Sequence, residues 1–72
     1  MLNKRTFTEQ IARKIKEFRL SKKLSQEELA DQAELYRTYI GHLENGRYSA
    51  SGYVLYKIAQ ALKVSSKELL PF

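Results

Sequence analysis

The sequence has few of the residues that build common catalytic or metal sites. It contains no cysteine and one histidine among 72 residues, which excludes disulfide bonds, thiolate metal sites and a cysteine nucleophile. It has neither a glycine-rich phosphate loop nor the His-Glu-x-x-His spacing of a metal site. Glu27 and Glu28 are adjacent, but on a helix they would project about 100° apart and would not form a carboxylate pair. We therefore predict a protein that is not an enzyme and that binds no metal or cofactor.

Long apolar runs are also missing. No stretch approaches the roughly 20 residues of a membrane span, and no apolar segment follows the charges near the N-terminus, as it would in a secretory signal. We accordingly expect a cytoplasmic protein with no membrane partner. Residues 1–72 suffice for one domain, which is close to the lower size limit for a chain stabilised by a hydrophobic core alone.

The charge is unevenly distributed. Thirteen lysine and arginine residues oppose eight acidic ones, giving a net charge of +5, and such an excess favours a polyanionic partner. Many of the cations lie in the first third of the chain, whereas an acidic segment from Glu27 to Glu34 follows it. This asymmetry predicts two surfaces with different partners. Alternatively, the lysines form only a solvated helical face.

Apolar residues recur at helical spacing, and no strand pattern of any length occurs. Thr6 and Glu9 have the spacing of a capping box and predict the start of a first helix. Ser25 and Glu28 repeat this pattern and predict a second helix that ends near Ala33.

Three further helices are predicted after a turn that contains no glycine, where Glu34 would have to adopt an unfavourable backbone conformation. The third helix spans about residues 36–45 and is closed by Gly46. A fourth follows from Tyr53, and a short fifth covers residues 65–70. The expected fold is all-α, a compact bundle of five helices.

The second and third predicted helices meet through a short turn, which is typical of a helix-turn-helix motif covering about residues 25–45. At about 100° per residue, the pattern places Tyr36, Ile40 and Leu43 on the inner side of the third helix. The outer side presents polar or small residues, namely Arg37, Thr38, Gly41, His42 and Asn45. Glycine within a helix costs roughly 1 kcal/mol relative to alanine, so Gly41 indicates close approach of a partner to the backbone, unless it is merely tolerated.

Several runs at fixed spacing carry a resemblance to a known family: Ile15, Phe18-Arg19, Leu24-Ser25-Gln26-Glu27-Glu28-Leu29-Ala30, Ile40, Leu43-Glu44-Asn45-Gly46, Ile58-Ala59-Gln60-Ala61-Leu62 and Val64-Ser65. Together they resemble the Cro/repressor-type (xenobiotic-response-element) helix-turn-helix domain. The short chain and its Arg37-Thr38-Tyr39-Ile40 run also resemble the controller proteins of restriction–modification systems. The resemblance implies a lambda-repressor-like fold and a homodimeric transcriptional regulator that binds palindromic double-stranded DNA.

The resemblance also implies roles for individual residues on the DNA-facing side. Base reading falls to Arg37, Thr38 and His42, and an arginine fork suits the O6 and N7 atoms of guanine. The alternative for His42 is that, as a lone surface histidine, it is incidental and has no part in base reading. Phosphate contacts are expected from Ser25, Gln26, Tyr36, Asn45 and Arg47, although Tyr36 has packing as its alternative.

Other roles concern the scaffold and protein partners. Arg19 and Glu44 match a salt bridge of the family, the alternative being two unlinked exposed charges. Glu27 and Asp31 match positions that contact RNA polymerase in some relatives, although acidic groups there also stabilise a helix N-terminus. A dimer interface is expected from the apolar residues Tyr53, Tyr56, Leu69, Leu70 and Phe72. The rival interpretation is an antitoxin-like or other protein-interaction module with the same fold.

Overall fold

A computed structural model describes residues 3–72 of the chain. In that range there are four α-helices and one short 3-10 helix: α1 (Lys4–Ser21), α2 (Gln26–Ala33), α3 (Arg37–Glu44), α4 (Gly52–Leu62) and the 3-10 helix (Ser66–Leu69). The all-α prediction is confirmed. None of these helices is both long and apolar enough to cross a bilayer.

The prediction of a fifth α-helix is wrong. The last element ends at Leu69, and Leu70 is extended, with φ −87° and ψ 147°. A residue that precedes proline is driven out of the helical region because the proline ring clashes with its backbone. Pro71 therefore stops the segment after a single turn, although Ser65 N still donates to Glu68 Oε2 at 3.0 Å.

The start of α1 also differs from the sequence prediction. Asn3 caps the helix, its Oδ1 accepting a hydrogen bond from Thr6 N at 2.8 Å. Thr6 thus lies within the first turn and is not the cap. Glu9, its expected partner, lies beside Arg5 instead, with Arg5 Nε 3.5 Å from Glu9 Oε2.

The α2 helix begins where its capping box predicts. Glu28 N donates to Ser25 Oγ at 3.0 Å, and Ser25 N donates to Glu28 Oε1 at 2.8 Å. At its other end Glu34 adopts a left-handed conformation with φ 57°. Leu35 N then donates to the Ala30 carbonyl oxygen at 2.8 Å, which closes the helix and turns the chain toward α3.

All five helical elements contribute to one apolar core, which contains Ile11, Ile15, Leu29, Ala30, Ala33, Ile40, Leu43, Leu55, Ile58, Ala59, Leu62 and Leu69. The assignment of Leu69 to a dimer interface is therefore wrong, because its side chain is fully buried within the protomer. Burial of Ile40 and Leu43 holds α3 by one side only. The other side is left to solvent.

Candidate nucleic-acid interface

A three-residue turn, residues 34–36, joins α2 to α3. Its first residue is the left-handed Glu34, and its second, Leu35, packs against the core. Tyr36 is extended and caps α3 through its backbone; its side chain is 83% exposed. The sequence prediction that Tyr36 faces inward is thus wrong, because the residue precedes the first helical turn and does not follow the helical spacing.

The first turn of α3 presents two exposed polar side chains, Arg37 and Thr38. Arg37 Nη1 lies 4.0 Å from Glu27 Oε2 of α2, and both side chains are 68% exposed. An ion pair in such surroundings contributes roughly 0–1 kcal/mol. The guanidinium can therefore leave this carboxylate for other acceptors at little cost.

His42 lies in an aromatic cluster that the sequence prediction missed. Its ring centroid is 4.9 Å from that of Tyr48, and the Tyr39 ring is 5.9 Å from the same tyrosine. These contacts reach across the turn at Gly46, so helical spacing does not reveal them. They place the imidazole beside the Tyr48 ring, and the same ring lies beside Tyr39, which is half-buried against the core.

Some candidate phosphate-binding residues already use hydrogen-bonding groups within the protein. Gln26 Nε2 donates to Glu44 Oε1 at 3.1 Å, which uses one of its two amide hydrogens. The Ser25 hydroxyl accepts the capping bond from Glu28 N. Asn45 and Arg47 are exposed just beyond the C-terminal end of α3. The surface around α3 therefore combines groups already held by the fold with groups open to solvent.

The space around Gly41 shows that protein packing does not demand a glycine there. A Cβ atom at this position would lie 3.7 Å from Gln26 Oε1, an ordinary van der Waals distance. Close approach by an external partner remains the prediction for this residue.

Arg19 and Glu44 form a buried, two-pronged ion pair. Arg19 Nε donates to Glu44 Oε2 at 2.7 Å and Nη2 donates to Oε1 at 3.1 Å. Their side chains are only 10% and 2% exposed. Arg19 Nη1 also donates to the Leu24 carbonyl oxygen at 2.7 Å. The pair therefore ties α1 to the end of α3 and to the segment that precedes α2.

The remaining predicted residues lie away from this network. Glu27 and Asp31 are exposed on α2. On α4, Tyr53 and Tyr56 are exposed and stacked, with ring centroids 6.5 Å apart. Phe72 is also exposed, but its ring lies 6.1 Å from that of Phe7, on α1. Leu70 is partly buried against the core.

Comparisons with known proteins identify relatives of this arrangement. A helix-turn-helix family model matches residues 15–69. The control protein C.BamHI of Bacillus amyloliquefaciens is 45% identical over 60 residues, covering 82% of this chain and 74% of its own. The crystal structure of the restriction–modification controller protein C.AhdI from Aeromonas hydrophila superposes with a TM-score of 0.85 at 35% identity, covering 88% of this chain and 96% of that one. The hypothetical transcription factor NHTF from Neisseria gives a TM-score of 0.87 at 34% identity over 97% of this chain and 80% of its own.

Proposed function

The chain belongs to the helix-turn-helix family of DNA-binding transcriptional regulators, and we propose that it recognises a specific double-stranded operator through the outer side of α3. One observation carries this proposal. The inner side of α3 is buried through Ile40 and Leu43, while its first turn presents Arg37 and Thr38 to solvent. A helix held in this way can enter the major groove without rearrangement of the fold.

The side chains of this surface suit distinct tasks. Arg37 would donate both prongs to O6 and N7 of a guanine. Thr38 would offer its methyl group to thymine or its hydroxyl to a phosphate. His42, one turn further along α3, would be the third base-reading residue. Ser25, Gln26, Tyr36, Asn45 and Arg47 would fix the position of the protein on the backbone, since phosphate contacts orient a protein without reading sequence.

We further propose that the protein acts as a homodimer. The stacked pair Tyr53 and Tyr56 is an exposed aromatic surface on α4, and aromatic residues of this kind are enriched at protein interfaces. Leu70 and Phe72 are the other candidates. Two α3 helices in such a dimer would meet half-sites about 34 Å apart on one face of the duplex.

The regulated genes are proposed from the relatives. C.BamHI is named a control protein and C.AhdI a restriction–modification controller protein, so we propose the genes of a restriction–modification system as the target. Glu27 and Asp31 would touch RNA polymerase when the protein activates transcription. Charge reversal at Asp31 should then abolish activation at unchanged DNA affinity, and intact activation would remove this contact from the proposal.

Selection of bound sites from random duplex DNA tests the main proposal, with gel shifts of mixed-length protein fusions to count protomers. We expect one palindromic site that holds two protomers. A monomer that binds every duplex equally would contradict the proposal and would favour the protein-interaction module.

A further inference from the structure

An open crevice of about 890 Å³ separates the first turns of α1 from the loop that follows α3. Lys4 and Arg5 line it from α1, and Arg47 lines it from the loop. The one carboxylate among its lining residues is Glu9, which lies 3.5 Å from Arg5. Three cations and one carboxylate leave the lining with a net charge of +2.

The two walls of the crevice are fixed to each other by the fold. The hydroxyl groups of Thr8 on α1 and Ser49 in the loop hydrogen-bond at 3.0 Å. Gly46 turns the chain out of α3 with φ 72°, and a Cβ atom there would lie 3.8 Å from Glu9 Cγ. The cations of the crevice are therefore carried by two elements whose relative position is set.

The crevice is continuous with the surface proposed to bind DNA. Asn45 and Arg47, two candidate phosphate contacts, belong to its lining, as does the half-buried Tyr39 of α3. A neighbouring crevice shares Glu9, Asn45 and Gly46 with it and adds Arg13 and Lys16 of α1, together with Glu44, whose charge is paired with Arg19. Positive groups of α1 thus run beside the C-terminal end of α3.

We propose that this crevice binds backbone phosphates of the duplex outside the bases that α3 reads, which makes the start of α1 a second DNA-binding element. This inference rests on the proposed function. A phosphodiester carries a full negative charge and presents acceptor oxygens only, which suits the donors of Lys4, Arg5 and Arg47. Glu9 reduces the positive charge of the lining, but three cations still leave it at +2. The contact would add affinity without adding sequence preference.

The test compares a Lys4→Gln/Arg5→Gln variant with the unmodified protein on two duplexes. One carries the selected operator with about ten flanking base pairs at each end, roughly one helical turn, and the other is trimmed to the operator. On the long duplex we expect on the order of tenfold weaker binding and a log–log salt slope smaller by about 2, since each released counterion contributes about 0.9. On the trimmed duplex the two proteins should bind equally.

A matched control separates the crevice from general charge. Lys14→Gln/Lys67→Gln removes the same charge from exposed positions, and Lys14 projects from another side of α1. If both double variants lose the same affinity and the same salt slope on the long duplex, the crevice does not bind phosphate. The same comparison on a random long duplex tests the crevice alone, because no operator sequence is present to be read. Sequence reading by α3 is tested separately, and it is contradicted only if the unmodified protein shows no preference for its operator.

Discussion

Two arginine–carboxylate pairs in this domain share their chemistry and differ in their surroundings. Arg19 and Glu44 approach to 2.7 Å with side chains 10% and 2% exposed, whereas Arg37 and Glu27 lie 4.0 Å apart and are both 68% exposed. Glu44 accepts two hydrogen bonds from Arg19 and one from Gln26. Burial and the number of donors thus distinguish the pair that holds α3 in place from the pair at the surface proposed to bind DNA.

The difference has an energetic consequence. A buried carboxylate has lost its water and depends on its partners, so removing one of them leaves an uncompensated charge. An exposed carboxylate keeps its hydration and loses little when its partner leaves. Separating Arg37 from Glu27 should therefore cost little, whereas separating Arg19 from Glu44 should cost much of the stability of the domain.

The largest expected effect comes from breaking the buried pair. Arg19→Ala should destabilise the protein by roughly 3–5 kcal/mol because it leaves Glu44 buried without its main partner. Urea unfolding followed by circular dichroism measures this change, and an osmolyte such as TMAO keeps a marginal variant folded for the comparison. Arg37→Ala is the matched control, because it removes the arginine of the exposed pair, and should change the free energy of unfolding by less than about 0.5 kcal/mol. Equal effects of the two substitutions would show that burial does not distinguish the pairs.

A smaller effect, on binding and not on stability, is expected at the exposed pair. Arg37→Ala should weaken binding to the selected operator by roughly 1–3 kcal/mol and relax the preference at one base position. Gel shifts against the operator and its single-base variants measure both. An equal loss on operator and random duplex would instead identify Arg37 as a phosphate contact.

Local chemistry made much of the motif predictable from the sequence. The start of α2 depends on Ser25 and Glu28, which bond to each other's backbone amides three residues apart. The short connection without glycine also predicted an unfavourable backbone conformation at Glu34, and this residue is left-handed with φ 57°. The start of α1 was harder to predict, because both Asn3 and Thr6 are residue types that cap helices. The spacing of Thr6 and Glu9 predicts Thr6 as the cap, but Asn3 caps the helix. Neighbouring residues alone do not decide such a competition.

Tertiary contacts account for what the sequence could not predict. An apolar residue near the end of a chain packs equally well against its own core or against a partner, and Leu69 takes the core. The contact of His42 with Tyr48 crosses the turn at Gly46 and has no periodic signature. The predicted outward placement of Arg37 and Thr38 needed only the burial of the opposite side of α3, which the apolar spacing does reveal.

The most direct test of the central claim, that α3 reads bases in the major groove, is methylation interference on the selected operator. Methylation of guanine N7 blocks one of the two acceptors that an arginine fork uses. We predict that one guanine in each half-site, when methylated, weakens binding of the unmodified protein and no longer affects the Arg37→Ala variant. Interference that is the same for both proteins, or absent from every guanine of the operator, would contradict reading by Arg37.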